Sequence, residues 1–220
     1  MKKILSLICA ILFTNSLVLA QQYFGLNGFQ YRVIDNGSVA VWNCYNNQDT
    51  VIIPNVVTFN NVKYTVVAID GGAFMWKDDI ISVIIPNTVT SIGQSAFQEC
   101  ENLSSVVMPN SITNIGSWAF TYCPNLTSFT IPDSVKHIGA AIFAYCPSLT
   151  TLDYNAKDCN GFGVGIAHPF GGSNISTINI GTDVEKIPEN FLYDMDSITT
   201  INFSNNITHI GKKAFAYYDG

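Results

Sequence analysis

The first feature that could carry chemistry is a column of three cysteines spaced 23 residues apart, namely Cys100, Cys123 and Cys146. If the chain winds into stacked coils of this length, their Cα atoms lie roughly 5 Å apart, within the range of a disulfide. The side chains would, however, point the same way into a crowded core, and Met195 takes the position in a later unit. We therefore favour buried free thiols that act as small hydrophobic residues. Cys44 and Cys159 lie outside the column and could form a bond.

The remaining reactive residue types form no recognisable catalytic or metal-binding set. His137, His168 and His209 do not make a metal site, because His137 and His209 occupy a variable position that should be exposed. The glycine-rich run at 161–165 lacks the strand-to-helix context and the Lys-Ser/Thr pair of a phosphate loop. No nucleophile with a base, acid pair or zinc motif is found. The sequence therefore predicts that the protein is not an enzyme and holds no metal or cofactor.

The cysteines belong to a repeat that occupies the middle of the chain, from Pro86 to Tyr154. Three units of 23 residues keep five positions in register. These are Pro86, Pro109 and Pro132; Gly93, Gly116 and Gly139; Phe97, Phe120 and Phe143; Cys100, Cys123 and Cys146; and Leu103, Leu126 and Leu149. A constant period of twenty to thirty residues is typical of a solenoid.

Each unit predicts a strand, a turn, a shorter strand and a helical turn. The run Leu103-x-x-Val106-x-Met108 matches the leucine-rich pattern, whose apolar side chains face inward from a short strand. Ala119-Phe120-x-x-Cys123 has the spacing of an α-helical or 3₁₀ turn. One coil buries too little apolar surface to be stable alone, so the coils are expected to stack with parallel strands.

The ends of the chain differ from the repeat. Lys2 and Lys3 precede a short apolar run and Ala20, which predicts a signal peptide over residues 1–20, too short to remain as a membrane span. Residues 21–47 predict a β-hairpin cap with an Asn-Gly turn. The solenoid then covers 48–220, with nine extra residues in its first coil, around Thr58 to Tyr64, and a degenerate coil at 155–180. The last coil is expected to lack a cap.

Charge and composition narrow the classes of partner. The chain is 48% apolar and 12% charged, which suits a packed core. Its net charge is −6, and cleavage of Lys2 and Lys3 with the signal peptide would make it −8. A scattered acidic balance argues against nucleic acid and anionic membranes as partners.

The repeat, Pro–strand–Ile-Gly-x-x-Ala-Phe-x-x-Cys-x-x-Leu, resembles the BspA-type leucine-rich repeats of bacterial surface proteins. The likeness extends over nearly all of residues 48–218. We therefore predict an α/β solenoid. It is a right-handed superhelix of about six to seven coils of about 23 residues, with parallel strands, short helical turns and an N-terminal β-hairpin cap. The resemblance also implies adhesion to host proteins or to other cells.

Two surfaces could bind a partner. The outward positions of the strands are mostly Ser and Thr, which could hydrogen-bond a protein or glycan or could pack between neighbouring strands. The second surface is aromatic, with Trp76, Tyr122, Tyr145 and Tyr217 at one repeat phase beside the cysteine column. These four residues are the candidate ligand-binding set, and the alternative is that the tyrosines lie flat and seal adjacent coils.

The sequence thus predicts a secreted or cell-surface binding module, adhesin-like, that recognises an extracellular protein or glycan. The alternative is a structural segment of a larger surface assembly that has no ligand of its own. The uncapped final coil would favour this alternative.

Overall fold

The computed structural model describes residues 23–160, 168–193 and 195–216. This part of the chain winds into a β-solenoid of about seven turns, about 23 residues apart, with parallel strands. The predicted repeat architecture is therefore confirmed. The predicted signal peptide, the glycine-rich run at 161–165 and Tyr217 lie outside the described residues.

Short strands account for all the regular secondary structure in the described residues, which contain no α-helix. The first six are β1 (Tyr23–Leu26), β2 (Phe29–Val33), β3 (Ser38–Cys44), β4 (Thr50–Ile52), β5 (Val56–Phe59) and β6 (Val62–Ile69). Those of the following coils are β7 (Ser82–Ile84), β8 (Ser91–Ile92), β9 (Ser105–Val107), β10 (Asn114–Ile115), β11 (Ser128–Ile131), β12 (His137–Ile138), β13 (Thr151–Tyr154), β14 (Thr177–Ile180), β15 (Lys186–Ile187), β16 (Thr200–Asn202) and β17 (His209–Ile210). Accordingly, no membrane-spanning helix occurs in the described ranges.

The strands form ladders that cross the coils. One side of the solenoid carries β4–β7–β9 and then β11–β13–β14–β16, and the other carries β6–β8–β10–β12 followed by β15–β17. The pairing repeats the sequence period, because Ser91 is opposite Asn114 and Asn114 is opposite His137. The repeat in the sequence is therefore the hydrogen-bonding register of the sheets.

The N-terminal strands extend one of these sheets. β1, β2 and β3 are antiparallel, and β3 then pairs in parallel with β6 of the first coil. The guanidinium of Arg32 donates two hydrogen bonds to the carboxylate of Asp70, at 2.6 and 2.7 Å, and so ties this segment to the solenoid. The extra residues of the first coil form the β5–β6 hairpin, turned by Asn60 and Asn61 with φ of 50° and 64°. Two such residues suit the tight turn of a two-residue hairpin loop.

The predicted helical turns are absent from the described coils, and the prediction of an α component is wrong there. In the central coils two residues of the turn segment adopt a left-handed conformation, as at Trp118 and Tyr122, both with φ of 58°. A left-handed residue interrupts a right-handed helix. The backbone N–H groups instead donate to the next coil, for example from Phe120 to Ile142 and from Tyr122 to Ala144, both at 2.9 Å. Apolar spacing alone could not distinguish these two patterns of hydrogen bonding.

A column of stacked phenylalanines forms the centre of the core. Its members, all with no exposed surface, are Phe74, Phe97, Phe120, Phe143 and Phe170. Successive ring centroids are separated by 4.8, 5.2, 6.0 and 6.1 Å. Each ring therefore fills the space above the previous one, and the core is complete only where neighbouring coils stack.

The glycine column marks where adjacent coils approach most closely. A Cβ atom added to Gly116 would lie 2.5 Å from the backbone nitrogen of Gln94 and 2.6 Å from the carbonyl carbon of Gly93. Backbone atoms cannot move aside as a flexible side chain can. The glycine is therefore required by the spacing between coils.

Candidate functional site

The predicted aromatic positions lie on the turn that follows the core phenylalanine. One outward column, which we call the surface column, consists of Trp76, Glu99, Tyr122, Tyr145 and Gly172. All five residues are left-handed, with φ of 60°, 58°, 58°, 58° and 76°. The fourth predicted residue, Tyr217, has no described position that could be compared with them.

The backbone of the surface column does not favour large side chains. Left-handed residues are usually Gly or Asn, because a Cβ is crowded in this conformation. Gly172 obeys this preference, whereas Trp76, Tyr122 and Tyr145 contradict it. Backbone conformation therefore gives no reason for aromatic residues here, and the reason must lie in what the side chains contact.

The two tyrosines form a stacked and accessible pair. Their ring centroids are 4.4 Å apart with an interplanar angle of 14°, while Tyr122 is 45% and Tyr145 61% exposed. Partial burial, the neighbouring Tyr145 and the carboxylate of Glu99 all raise the pKa of Tyr122 above its ordinary value. The pair therefore presents partly exposed ring surface in the middle of the surface column.

Trp76 does not join this stack. It is 66% exposed and lies two coils before Tyr122, with Glu99 at the column position between them. Within the described residues no ring contact involves Trp76. The structure thus brings two of the four predicted aromatic residues into contact and leaves Trp76 as a separate exposed ring.

A second column runs beside the surface column and completes a cleft. It contains the residue after each cysteine position, namely Glu101, Pro124, Pro147 and Asn174. Together with Glu99, Tyr122, Tyr145 and Gly172, these residues line an open cleft of about 400 Å³. The aromatic rings and prolines form its middle, two carboxylates lie at one end, and Gly172 with Asn174 lies at the other. The sequence reasoning missed this second column, although its constant offset from the cysteines was visible.

The thiols of the cysteine column are buried in the core and hydrogen-bonded there. Each thiol donates to the carbonyl oxygen of a core phenylalanine in the preceding coil: Cys100 to Phe74 at 3.0 Å, Cys123 to Phe97 at 3.2 Å and Cys146 to Phe120 at 3.0 Å. Burial raises the pKa of the Cys100 thiol to about 12, so that the nucleophilic thiolate is disfavoured at neutral pH.

The other cysteines complete this picture. The structure shows no disulfide among the five described cysteines, which include Cys44 and Cys159. The interpretation of the column as buried thiols that pack with the core therefore agrees with the geometry, and the bond considered between Cys44 and Cys159 is not formed.

The histidines and acidic residues form no metal centre in the described ranges. His137 and His209 are exposed, whereas His168 is half-buried, and its Nε2 lies 2.9 Å from the carbonyl oxygen of Asn190. Lys157 lies between Asp133 and Asp183, at 3.5 and 2.9 Å, and its ammonium group occupies the space where a bound cation would be expected.

The outward face of the longer strands has two halves. Ile52, Ile84 and Val107 are exposed along β4, β7 and β9. In the later coils the equivalent position carries a polar ladder, in which Asn202 donates to Asn179 and Asn179 to Asp153, both at 2.7 Å. The prediction that this face is mostly polar therefore describes its second half better than its first.

Many hydroxyl groups on this face are used within the solenoid. Ser104 donates to the carbonyl oxygen of Ile81 and Thr199 to that of Ser176, at 3.3 and 3.2 Å. These bonds support the reading in which Ser and Thr join neighbouring strands. The cleft beside the surface column is consequently the stronger candidate for a binding site.

Comparison with known families identifies the repeat. Six copies of the BspA-type leucine-rich repeat region match residues 67–163 and 167–219. No curated protein matches the chain.

Solved leucine-rich repeat proteins share the fold. A leucine-rich repeat protein of T. pallidum is 19% identical, with a TM-score of 0.66 and coverage of 88% of each chain. One from Bacteroides capillosus is 23% identical over 73% of this chain and 99% of its own, with a TM-score of 0.54. A leucine-rich cell surface protein from Faecalibacterium prausnitzii is 25% identical over 81% of this chain and 54% of its own, with a TM-score of 0.57.

Proposed function

Because the chain belongs to the BspA-type leucine-rich repeat family, we propose that it is a secreted or cell-surface module that binds an extracellular protein or glycan, as an adhesin does. The observation that carries this proposal is the exposed Tyr122–Tyr145 stack on a backbone that does not favour aromatic residues. Tyrosine and tryptophan offer large contact areas at low entropic cost and are enriched in interface cores. The cleft beside the stack supplies the concave surface that such contacts need.

Export is part of the proposal. Lys2, Lys3 and the apolar run that follows have the order of a signal peptide, with cleavage after Ala20. The similar F. prausnitzii protein is described as a cell surface protein, which also supports export. N-terminal sequencing of the protein recovered from its native host tests this step, and retention of Met1 in the exported protein would contradict it.

We also propose that the protein catalyses no reaction. Its column thiols are buried and hydrogen-bonded, and the described residues bring together no nucleophile with a base. A screen with hydrolase and glycosidase substrates should detect no turnover. One saturable activity that copurifies with the protein would overturn this.

The alternative function is structural, and the exposed strip of Ile52, Ile84 and Val107 on the outward face of β4, β7 and β9 favours it. An apolar surface of this kind would suit contact within a larger surface assembly. Light scattering discriminates the two functions, because a binding module should remain monomeric and an assembly segment should associate as its concentration rises.

Affinity capture with the purified chain tests the binding function. The chain is presented with extracellular proteins and glycans, and a saturable ligand is then titrated against the variant carrying Tyr122→Ser and Tyr145→Ser. Binding should fall by about tenfold or more, since truncation of a hot-spot residue costs about 2 kcal/mol or above. Trp118→Ser is the matched control, because Trp118 is 44% exposed and equally left-handed on the same coil but lies outside the cleft. Equal affinity of both variants for the ligand would contradict the proposal.

A further inference from the structure

The cleft beside the surface column has an unequal distribution of charge. Glu99 occupies the column position before Tyr122, and Glu101 occupies the position before Pro124 in the second column. At the far end, Gly172 follows Tyr145 and contributes no side chain. The cleft therefore runs from a pair of carboxylates, across two tyrosines and two prolines, to an open end.

The two carboxylates have no positive partner within the described residues. The ion pairs found there involve Arg32 with Asp70, and Lys157 with Asp133 and Asp183. Glu99 accepts one hydrogen bond, from the side-chain amide of its neighbour Gln98 at 3.0 Å. The remaining acceptor positions of Glu99 and Glu101 are left for a ligand or solvent.

The tyrosine pair adds an aromatic surface next to this charge. Tyr122 follows Glu99 directly in the surface column, and its ring is 45% exposed. A guanidinium group can stack on an aromatic ring and at the same time donate paired hydrogen bonds to a carboxylate. Cations are also attracted to the faces of tyrosine rings.

We propose that this cleft recognises an arginine side chain on an extended segment of a partner protein. The guanidinium binds Glu99 and Glu101, and its aliphatic stem lies along the tyrosines and prolines. The proposal rests on the binding function given above and narrows its ligand from a protein or glycan to a basic polypeptide. The net charge of −6 also favours encounter with such a partner.

A neutral sugar fits these observations less well. Sugars also stack on tyrosine rings, but recognition of an uncharged ring does not require two adjacent carboxylates without a counter-charge. An acidic ligand would be repelled by the same pair. The placement of the charge next to the aromatic surface therefore selects a cation.

Two peptides that differ only in charge test the proposal. The purified chain is titrated with a fluorescent peptide containing four Gly-Ser-Arg units and with the same peptide carrying citrulline, the neutral isostere, in place of arginine. Fluorescence anisotropy should show that the arginine peptide binds at least about tenfold more tightly, and its affinity should fall as salt is raised. Equal affinity for the two peptides would overturn the proposal.

The variant with Glu99→Gln and Glu101→Gln tests whether the arginine peptide binds at these two carboxylates. It should weaken binding of the arginine peptide by about tenfold or more while its melting temperature stays close to that of the unchanged chain. The matched control is Glu185→Gln with Glu189→Gln, two exposed carboxylates of another coil, which changes the net charge equally. If both pairs of substitutions weaken binding alike, the attraction is a general effect of charge and the arginine site is rejected.

The outcomes separate this inference from the proposed function. If the arginine peptide does not bind but the tyrosine double variant loses a glycan or protein ligand, the inference is wrong and the binding function stands. If the tyrosine variant keeps full affinity for the ligand, the binding function at this cleft is wrong as well. A lysine version of the peptide that binds as tightly as the arginine version would overturn the preference for a guanidinium.

Discussion

Two columns of side chains lie two residues apart in each coil and differ in every other respect. The core column, Phe74 to Phe170, repeats one residue type and is fully buried. The surface column changes from Trp76 to Glu99, then to two tyrosines and Gly172, although its backbone conformation is constant. Stacking of identical coils demands the same volume at the same inward position, whereas an outward position is free to vary. Uniformity of the core column therefore reflects stacking, whereas stacking places no such requirement on the surface column.

The largest effect on stability is expected in the core column. Phe120→Ala removes a ring that stacks on Phe97 and Phe143, and the free energy of unfolding should fall by about 3–5 kcal/mol. Urea denaturation followed by circular dichroism measures this. Tyr122→Ala, two residues further along, is the control and should cost much less because its ring is 45% exposed. Equal losses in the two variants would mean that the columns do not differ as described.

A smaller loss is expected where the backbones of two coils meet. Gly116→Ala would place a methyl group against the backbone of Gly93 and Gln94, and the strain should lower the free energy of unfolding by about 1–3 kcal/mol. Gly37→Ala is the control, since a Cβ there would have only the Asp35 carboxylate within 4.0 Å. If both alanines are tolerated equally in thermal unfolding, coil spacing is less restrictive than the structure indicates.

A still smaller loss of stability is expected in the cysteine column. Cys123→Ala removes the donor to the carbonyl oxygen of Phe97 and leaves a small void, which should cost about 1–2 kcal/mol. Differential scanning calorimetry measures this change. Because no disulfide joins the five described cysteines, the melting temperature of the unchanged chain should be the same with and without dithiothreitol. A marked drop on reduction would reveal a disulfide and would contradict the interpretation of the cysteine column as buried thiols.

The smallest effect on stability is expected in the surface column. Tyr122→Ser together with Tyr145→Ser removes one exposed stacked pair, and the free energy of unfolding should change by at most about 1 kcal/mol. Thermal unfolding measures this loss beside the binding titration. A fall comparable to that of Phe120→Ala, without a loss of affinity per folded molecule, would show that the tyrosines seal the coils. The binding face would then have to be sought on the outward face of the strands.

The columns themselves were predictable from the sequence, because a period of 23 residues reports directly on which positions face inward. The recurrence of Phe97, Phe120 and Phe143 predicted their stacking, and the phase of Tyr122 and Tyr145 predicted that they would be neighbours. Whether a position faces inward or outward depends on the polarity of its side chain, and this polarity is known from the residue type. The two tyrosines of the candidate site could accordingly be named without coordinates.

Other features depended on atoms from neighbouring coils and could not be predicted. The left-handed turns at Trp118 and Tyr122 replaced the expected helical turns because their N–H groups find acceptors in the next coil. The ladder is also divided between β9 and β11, where the large ring of Phe129 takes the inward position held by Val83 and Val106 in earlier strands. Each of these outcomes was decided by geometry between coils, which no single repeat contains.

The sequence by itself determined that the chain is a solenoid, which residues form its core and which aromatic residues share one outward phase. Only the tertiary structure decided that Glu99 and Glu101 lie beside the stacked tyrosines, that Trp76 stands apart, and that the thiols are hydrogen-bonded to the phenylalanine carbonyls. The physical reason is that burial follows from periodic polarity along one chain. Contacts between side chains follow from the offset of one coil against the next, and hydrogen bonding between the coils sets that offset.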